Sequence, residues 1–277
     1  GMTAEDISAA FLIPPATMGQ RLVRAKTRIK DAGIPFHVPE KEELPERLHA
    51  VLDAIYAAYA KGWNEVGDAG IPELADEAIW LGRLVVSLLP DEPEAKGMLA
   101  LMLYAEARRA ARRDASGAYV PLEAQDTSLW DDSQIVIAEQ LLHAANQAGP
   151  TGRYQLEAAI QSAHAARRLT GMSNWSVVVQ LYDHLVALTG SPVVVLNRAV
   201  ALAEIDGPDA ALAAIAPLAE DKRMLGYQPY WAARGHLLAQ TGQRAEAKEA
   251  FTVAIGLTTD EAVRSYLQGR LAALQPD

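Results

Sequence analysis

Trp231-Ala-Ala-Arg-Gly-His-Leu-Leu-Ala-Gln-Thr-Gly242 echoes Leu196-Asn-Arg-Ala-Val-Ala-Leu-Ala-Glu-Ile-Asp-Gly207, with the closing glycines 35 positions apart. Both stretches place alanines and leucines at three- and four-residue steps, which is helical spacing, and both stop on a glycine able to turn the chain. Gly235 in mid-helix leaves room for a partner helix to come close. Beyond Gly242, Ala247, Phe251 and Ala254 fall on one face of a following helix. The unit is a helix, a turn and a second helix, used more than once.

Working outward, the same spacing predicts helices over Ile135–Ala148, Tyr154–Leu169, Asn174–Leu188, Pro192–Ile205, Pro208–Glu220, Pro229–Thr241, Ala245–Leu257 and Asp260–Leu274. A glycine turn between helices with small residues at their crossing is the mark of a tetratricopeptide-like array, in which each pair buries its face on the next. Upstream, Leu48, Val51, Leu52, Ile55, Tyr56 and Tyr59 form an apolar stripe that ends near Gly62. Pro72 opens another helix with Ile79, Leu81, Leu84, Val85 and Leu88 on its inner face, and Pro93 opens one that buries Leu99, Leu101, Met102 and Leu103. Half of the 277 residues are hydrophobic, with few phenylalanines. The fold class expected is all-α.

The opening residues differ from the rest. Thr3 can cap a short helix carrying Glu5 and Asp6 in its first turn and Ile7, Ala10 and Phe11 on its inner face. Leu12-Ile13-Pro14 closes that helix and Pro15 starts a second. In the second, Met18, Leu22, Ala25 and Ile29 are expected to face inward. Thr17, Gln20, Arg21, Arg24, Lys26 and Arg28 are left on the outer side. Helix, tight turn and basic helix are the parts of a helix-turn-helix DNA reader, with Arg and Lys suited to phosphates and Thr17 and Gln20 to base edges. Residues 1–30 carry +3, so the remainder carries −13 of the net −10. An acidic body of that kind does not bind nucleic acid through its bulk surface, and any DNA contact must be local to the first helices.

Other chemistry is scarce. There is no cysteine, hence no disulfide, thiolate site or Cys nucleophile. The six histidines lack metal-ligand spacing, and no phosphate-cradling glycine loop or nucleophile elbow occurs. No enzyme, metal or cofactor is expected. No apolar run reaches membrane-spanning length and no signal-peptide pattern opens the chain, so a cytoplasmic protein without a membrane partner is expected. Arg108-Arg-Ala-Ala-Arg-Arg113 reads as a solvated or salt-bridged helix end before a loop, with a small hairpin near Ser116-Gly117. Around that loop Arg108, Arg109, Gln125, Asp126 and Trp130 combine charge, amide and indole. They stand as a candidate ligand or partner site, against the alternative of a network that pins the loop through caps and ion pairs.

Ile13-Pro-Pro-Ala-Thr-Met-Gly-Gln-Arg-Leu-Val-Arg-Ala-Lys-Thr-Arg-Ile29 resembles the promoter-reading end of extracytoplasmic-function sigma factors of RNA polymerase. Thr17, Met18, Arg21, Leu22, Arg24, Ala25, Lys26 and Ile29 fill the places of that pattern. Pro14 stands where most such factors carry a Ser or Thr cap. The body resembles the helical extension of a subgroup of these factors. The likeness rests on Glu77-Ala-Ile-Trp-Leu-Gly-Arg-Leu84, Gln125-Asp-Thr-Ser-Leu-Trp-Asp131, Tyr154-Gln-Leu-Glu-Ala-Ala-Ile160 and Ser191-Pro-Val-Val-Val-Leu-Asn-Arg-Ala-Val-Ala201. One departure is Tyr59-Ala-Lys-Gly-Trp63, where the relatives carry Phe-Asn-Glu-Gly-Tyr.

The resemblance implies a chain that begins partway through the −35 reader, with Gly1 set aside as a residue added ahead of Met2. Residues 1–36 would be the C-terminal half of the helix-turn-helix, 37–133 a helical domain and 134–277 the repeats. It implies core RNA polymerase and promoter DNA as partners of the full-length protein, and an unknown protein partner for the repeats. The competing expectation is a protein-interaction module that no longer binds DNA.

Overall fold

The computed structural model describes residues 2–33, 44–64 and 72–274. The expected boundary at residue 36 lies outside the described residues. Helix α1 (Ala4–Ala10) opens with a closed capping box. The Thr3 hydroxyl accepts from the Asp6 amide at 3.2 Å, and Asp6 Oδ2 accepts from the Thr3 amide at 2.7 Å. Helix α2 (Pro15–Asp31) has Pro15 at its first position and no side-chain cap, because Pro14 has no group to offer. Between them Leu12 takes φ = 50°, a left-handed conformation unusual for a bulky side chain, and its backbone carries the corner.

Helices α3 (Leu44–Asn64) and α4 (Pro72–Leu88) pack closely on one another. A Cβ at Gly62 would stand 2.6 Å from the Ala75 amide nitrogen, so the two backbones nearly touch there. The outer residues Val51, Leu84 and Leu88, expected inside, are 46%, 38% and 68% exposed, which narrows the inward stripe of both helices. Helix α5 (Pro93–Glu106) is buried at Glu94, Ala95 and every position from Gly97 to Tyr104. A helix apolar on all sides belongs in the middle of a core. Helices α6 (Asp132–Ala148) and α7 (Arg153–Ala165) flank it, and the resulting cluster runs from Leu52 to Ala165. That core is continuous across residue 133, where the sequence suggested a boundary.

The α5–α7 crossing depends on two glycines and one carboxylate. Glu94 accepts from the Tyr154 and Gln155 amides at 3.0 and 3.1 Å, and so caps the start of α7 from another helix. A Cβ at Gly152 would meet the Glu94 carboxylate at 2.3 Å, and one at Gly97 would meet the Gln155 amide nitrogen at 2.7 Å.

The chain continues through α8 (Arg167–Thr170), α9 (Trp175–Thr189), α10 (Pro192–Asp206), α11 (Pro208–Ile215), α12 (Lys222–Leu225), α13 (Gln228–Gln240), α14 (Arg244–Leu257) and α15 (Glu261–Ala272). Successive helices pack pairwise, α9 on α10, α10 on α11 and α13 on α14. Gly207 and Gly242 end α10 and the turn after α13 with φ of 86° and 77°, which a residue without a Cβ adopts at little cost. A Cβ at Gly235 would come within 3.0 Å of the Phe251 ring, so this glycine admits the neighbouring helix. The fold is all-α. Among the described residues, strand-like pairing is confined to one antiparallel bridge, Arg113 to Tyr119, at the small hairpin around Gly117. No described helix is long and apolar enough to cross a membrane.

Candidate nucleic-acid interface

The basic residues of helix α2 are all open to solvent, with Arg21, Arg24 and Arg28 on one side of the helix and Lys26 on another. Gln20, Arg21, Arg24, Lys26 and Arg28 are exposed and Thr17 is half-buried at the first turn. Arg24 Nε donates to the Gln20 carbonyl at 3.3 Å, which lays that side chain back along the helix. None of Arg21, Arg24, Lys26 and Arg28 is ion-paired with a described residue. With Lys30, likewise exposed, α2 carries five cations without an ion pair to a described residue, which suits anionic backbones.

Behind that surface the support is partial. Met18 is buried, 8% exposed, and Leu22 is half-buried. Ile29, expected inside, is 57% exposed, and Val23 is 64% exposed. The physical reason is that α2 rests mainly on α1, which is too short to cover its last turns.

The two helices are fastened to the body at two points. Lys61 Nζ lies 2.8 Å from Asp6 Oδ2, joining α3 to α1. The side-chain hydrogen bonds from Lys61 and Thr3 hold the Asp6 carboxyl down to about 2. Leu12, at the corner, packs against the cluster built by Leu196, Met224 and Tyr230. The sequence marked Lys61 as a departure from the family pattern it resembles; only the structure shows that it reaches the first helix.

The arginine string fans out. Arg108 Nη2 donates to Gln161 Oε1 at 2.5 Å, and Arg109 pairs with Glu106 at 2.5 Å. Arg112 lies 3.4 Å over the Trp63 ring and donates to the Trp63 carbonyl. Burial brings the Arg112 guanidinium down to about 10, so it stays charged at neutral pH. Arg113 crosses to Asp260, at the start of α15, at 2.5 Å.

Gln125, Asp126 and Trp130 are gathered by a residue the sequence did not single out, Arg167. Its guanidinium donates to the carbonyls of Leu122, Glu123 and Gln125, each at 3.0 Å, and lies 5.2 Å over the Trp130 ring. Asp126 caps the next turn by accepting from the Ser128 amide at 2.9 Å. Trp130 Nε1 and Gln125 Oε1 are buried without a partner. Arg108 and Arg109 direct their hydrogen bonds to Gln161 and Glu106 and not to Gln125, Asp126 or Trp130. What the geometry does chemically is hold a loop.

His164 is 8% exposed, its ring 5.4 Å from Trp175 in an edge contact. Burial, with Arg108 and Arg167 nearby, brings it down to about 4. Among the described residues no cluster of His, Asp or Glu is placed to hold a metal ion.

Residues 47–146 match the model of a family of unknown function, DUF6596. The chain is 42% identical over 273 residues to a protein of Rhizobium meliloti (strain 1021) described as "Uncharacterized protein R00370". The match covers 98% of this chain and 64% of that protein, so the chain spans less than two thirds of the length of its curated relative. No solved structure matches it.

Proposed function

We propose that the chain is part of an extracytoplasmic-function sigma factor, in which α1 and α2 contribute half of a −35 promoter reader and the helical body regulates it. The observation that carries this reading is the exposed, unpaired basic surface of α2, set behind a capped α1 and a tight corner. Helix α2 would enter the major groove by its N-terminal turns. Thr17 and Gln20 would stand near base edges, while Arg21, Arg24, Lys26 and Arg28 contact phosphates or purine edges. The reading places the protein in the cytoplasm, with core RNA polymerase and promoter DNA as partners of the whole factor, and gives it no enzymatic step.

The test is binding of the protein to promoter duplex as salt is varied. Four phosphate contacts predict a log–log slope of about −3 to −4, and Arg21→Ala should lower it by about one. Arg244→Ala, on α14, which packs on α13 and α15, should leave it unchanged. A flat salt response, or equal loss in both variants, overturns the reading.

A second reading has its own support. Leu12 packs into the body and Asp6 is tied to α3, so α1 and its corner are integrated with the helical domain. In a protein-interaction module the same docking would be structural, and Val23 and Ile29 would await a protein partner. Absent DNA binding at low salt favours this reading.

A further inference from the structure

Between the α1–α2 corner and the body lies a cleft of about 570 Å³. Sites for small molecules commonly enclose ~300–1,000 Å³. Phe11 and Leu12 form one wall, and the other walls come from α7, α9 and α10. Ile160, Leu185 and Val193 give it an apolar side.

Its polar groups are set for a guest without charge. Arg153 is held by Glu157 at 2.7 Å and by Asp53 at 3.3 Å, and Arg223 by Asp221 at 2.5 Å. An anion would compete with these carboxylates for guanidinium groups that already hold them, so a guest without charge fits with the least rearrangement. Hydrogen-bonding capacity, by contrast, is left over. The hydroxyls of Tyr56, Tyr182 and Tyr227 and the amide of Asn197 all border the cleft and bond to no described protein atom. Gln161 Oε1 is occupied by Arg108, which leaves the Gln161 NH₂ free to donate. None of these groups is among the fully buried atoms without a partner, so solvent reaches them and a ligand's hydroxyls would take the place of water there. Phenols and amides both donate and accept, so the complementary ligand must do the same with many small groups. Tyrosine rings and the apolar side would meet its C–H face.

We infer that this cleft binds a small, uncharged, polyhydroxylated molecule of the size of a mono- or disaccharide. Because Phe11 and Leu12 form a wall, occupancy bears directly on the corner that carries α2. The site goes beyond the promoter reading and does not rest on it, since the protein is tested without DNA.

The protein is titrated with glucose, trehalose and myo-inositol, and with the charged glucose 6-phosphate and glucosamine, by thermal unfolding and calorimetry. At least one neutral probe should bind saturably and raise Tm by roughly 5 °C at a hundredfold excess over Kd, with about 10 mM as the upper concentration. Tyr182→Phe and Asn197→Ala should weaken that probe about tenfold each while leaving the unliganded Tm unchanged, because neither group is bonded in the free protein. The inference is overturned if no neutral probe binds, if a charged probe binds more tightly, or if the two variants bind as the wild type does.

Discussion

Lys61 Nζ and Asp6 Oδ2 lie 2.8 Å apart and join α3 to α1, although the two residues are far apart in the chain. Both side chains are about a quarter exposed, so solvent weakens the pair. A double-mutant cycle of Lys61→Met and Asp6→Asn should give a coupling of about 0.5 kcal/mol at low salt and less at high salt. The Asp6 carboxyl titrates near 2 in the folded protein against 3.8 ordinarily. Its contribution is therefore fully present above pH 4 and is lost as pH falls toward 2. No coupling at low salt would show that the pair does not fasten the first helix.

His164 acts in the same sense, over a higher pH range. Folding brings it down from 6.5 to about 4, so the unfolded chain binds its proton first as pH falls. Stability should decline between pH 6.5 and pH 4, by about 2 kcal/mol between pH 7 and pH 5. His164→Phe keeps a ring beside Trp175 and removes the titration. Urea unfolding of both proteins at pH 7 and pH 5 measures the difference. Equal pH dependence in wild type and variant would rule out His164 as its source.

The helices were legible in the sequence because their spacing is local. Gly207, Gly242 and Gly235 carried their roles on their face, two as positive-φ turns and one as a gap for Phe251. Elements were harder to place where tertiary packing overrides pattern. Helix α5 is apolar all round, so no stripe marks which neighbours it meets. Ile29 fits a helical stripe, but no described helix covers it. The loop was legible as polar, whereas Arg167, which organises it, sits some forty residues away and leaves no local signal. The cleft was hidden for the same reason: Tyr56, Gln161, Tyr182 and Asn197 come from four helices.

The glycines within helices should divide sharply by what surrounds them. Gly97→Ala places a methyl 2.7 Å from the Gln155 backbone, which cannot swing aside, and a loss of about 3 kcal/mol is expected. Gly256 lies in α14 with open space around its Cβ position. Gly256→Ala should stabilise by about 0.5–1 kcal/mol, since alanine restricts the unfolded chain and favours the helix. Denaturant midpoints with unchanged slopes would measure both. Similar effects at the two sites would mean that α5 and α7 do not approach as closely as Gly97 requires.

Arg167 and Asp126 both hold the loop that precedes α6, but by unequal means. Arg167 spans three carbonyls and covers the Trp130 ring, and lysine cannot reproduce that planar fork. Asp126 makes one exposed cap to the Ser128 amide. Arg167→Lys should therefore cost about 2–3 kcal/mol, and Asp126→Ala, which removes one exposed cap, distinctly less. Trp130 is buried against this network, so amide exchange across Leu122–Trp130 should quicken more in the arginine variant. If Asp126→Ala proves the more damaging, or if it weakens binding to a partner with stability intact, the loop serves as a recognition site and not as a structural tie.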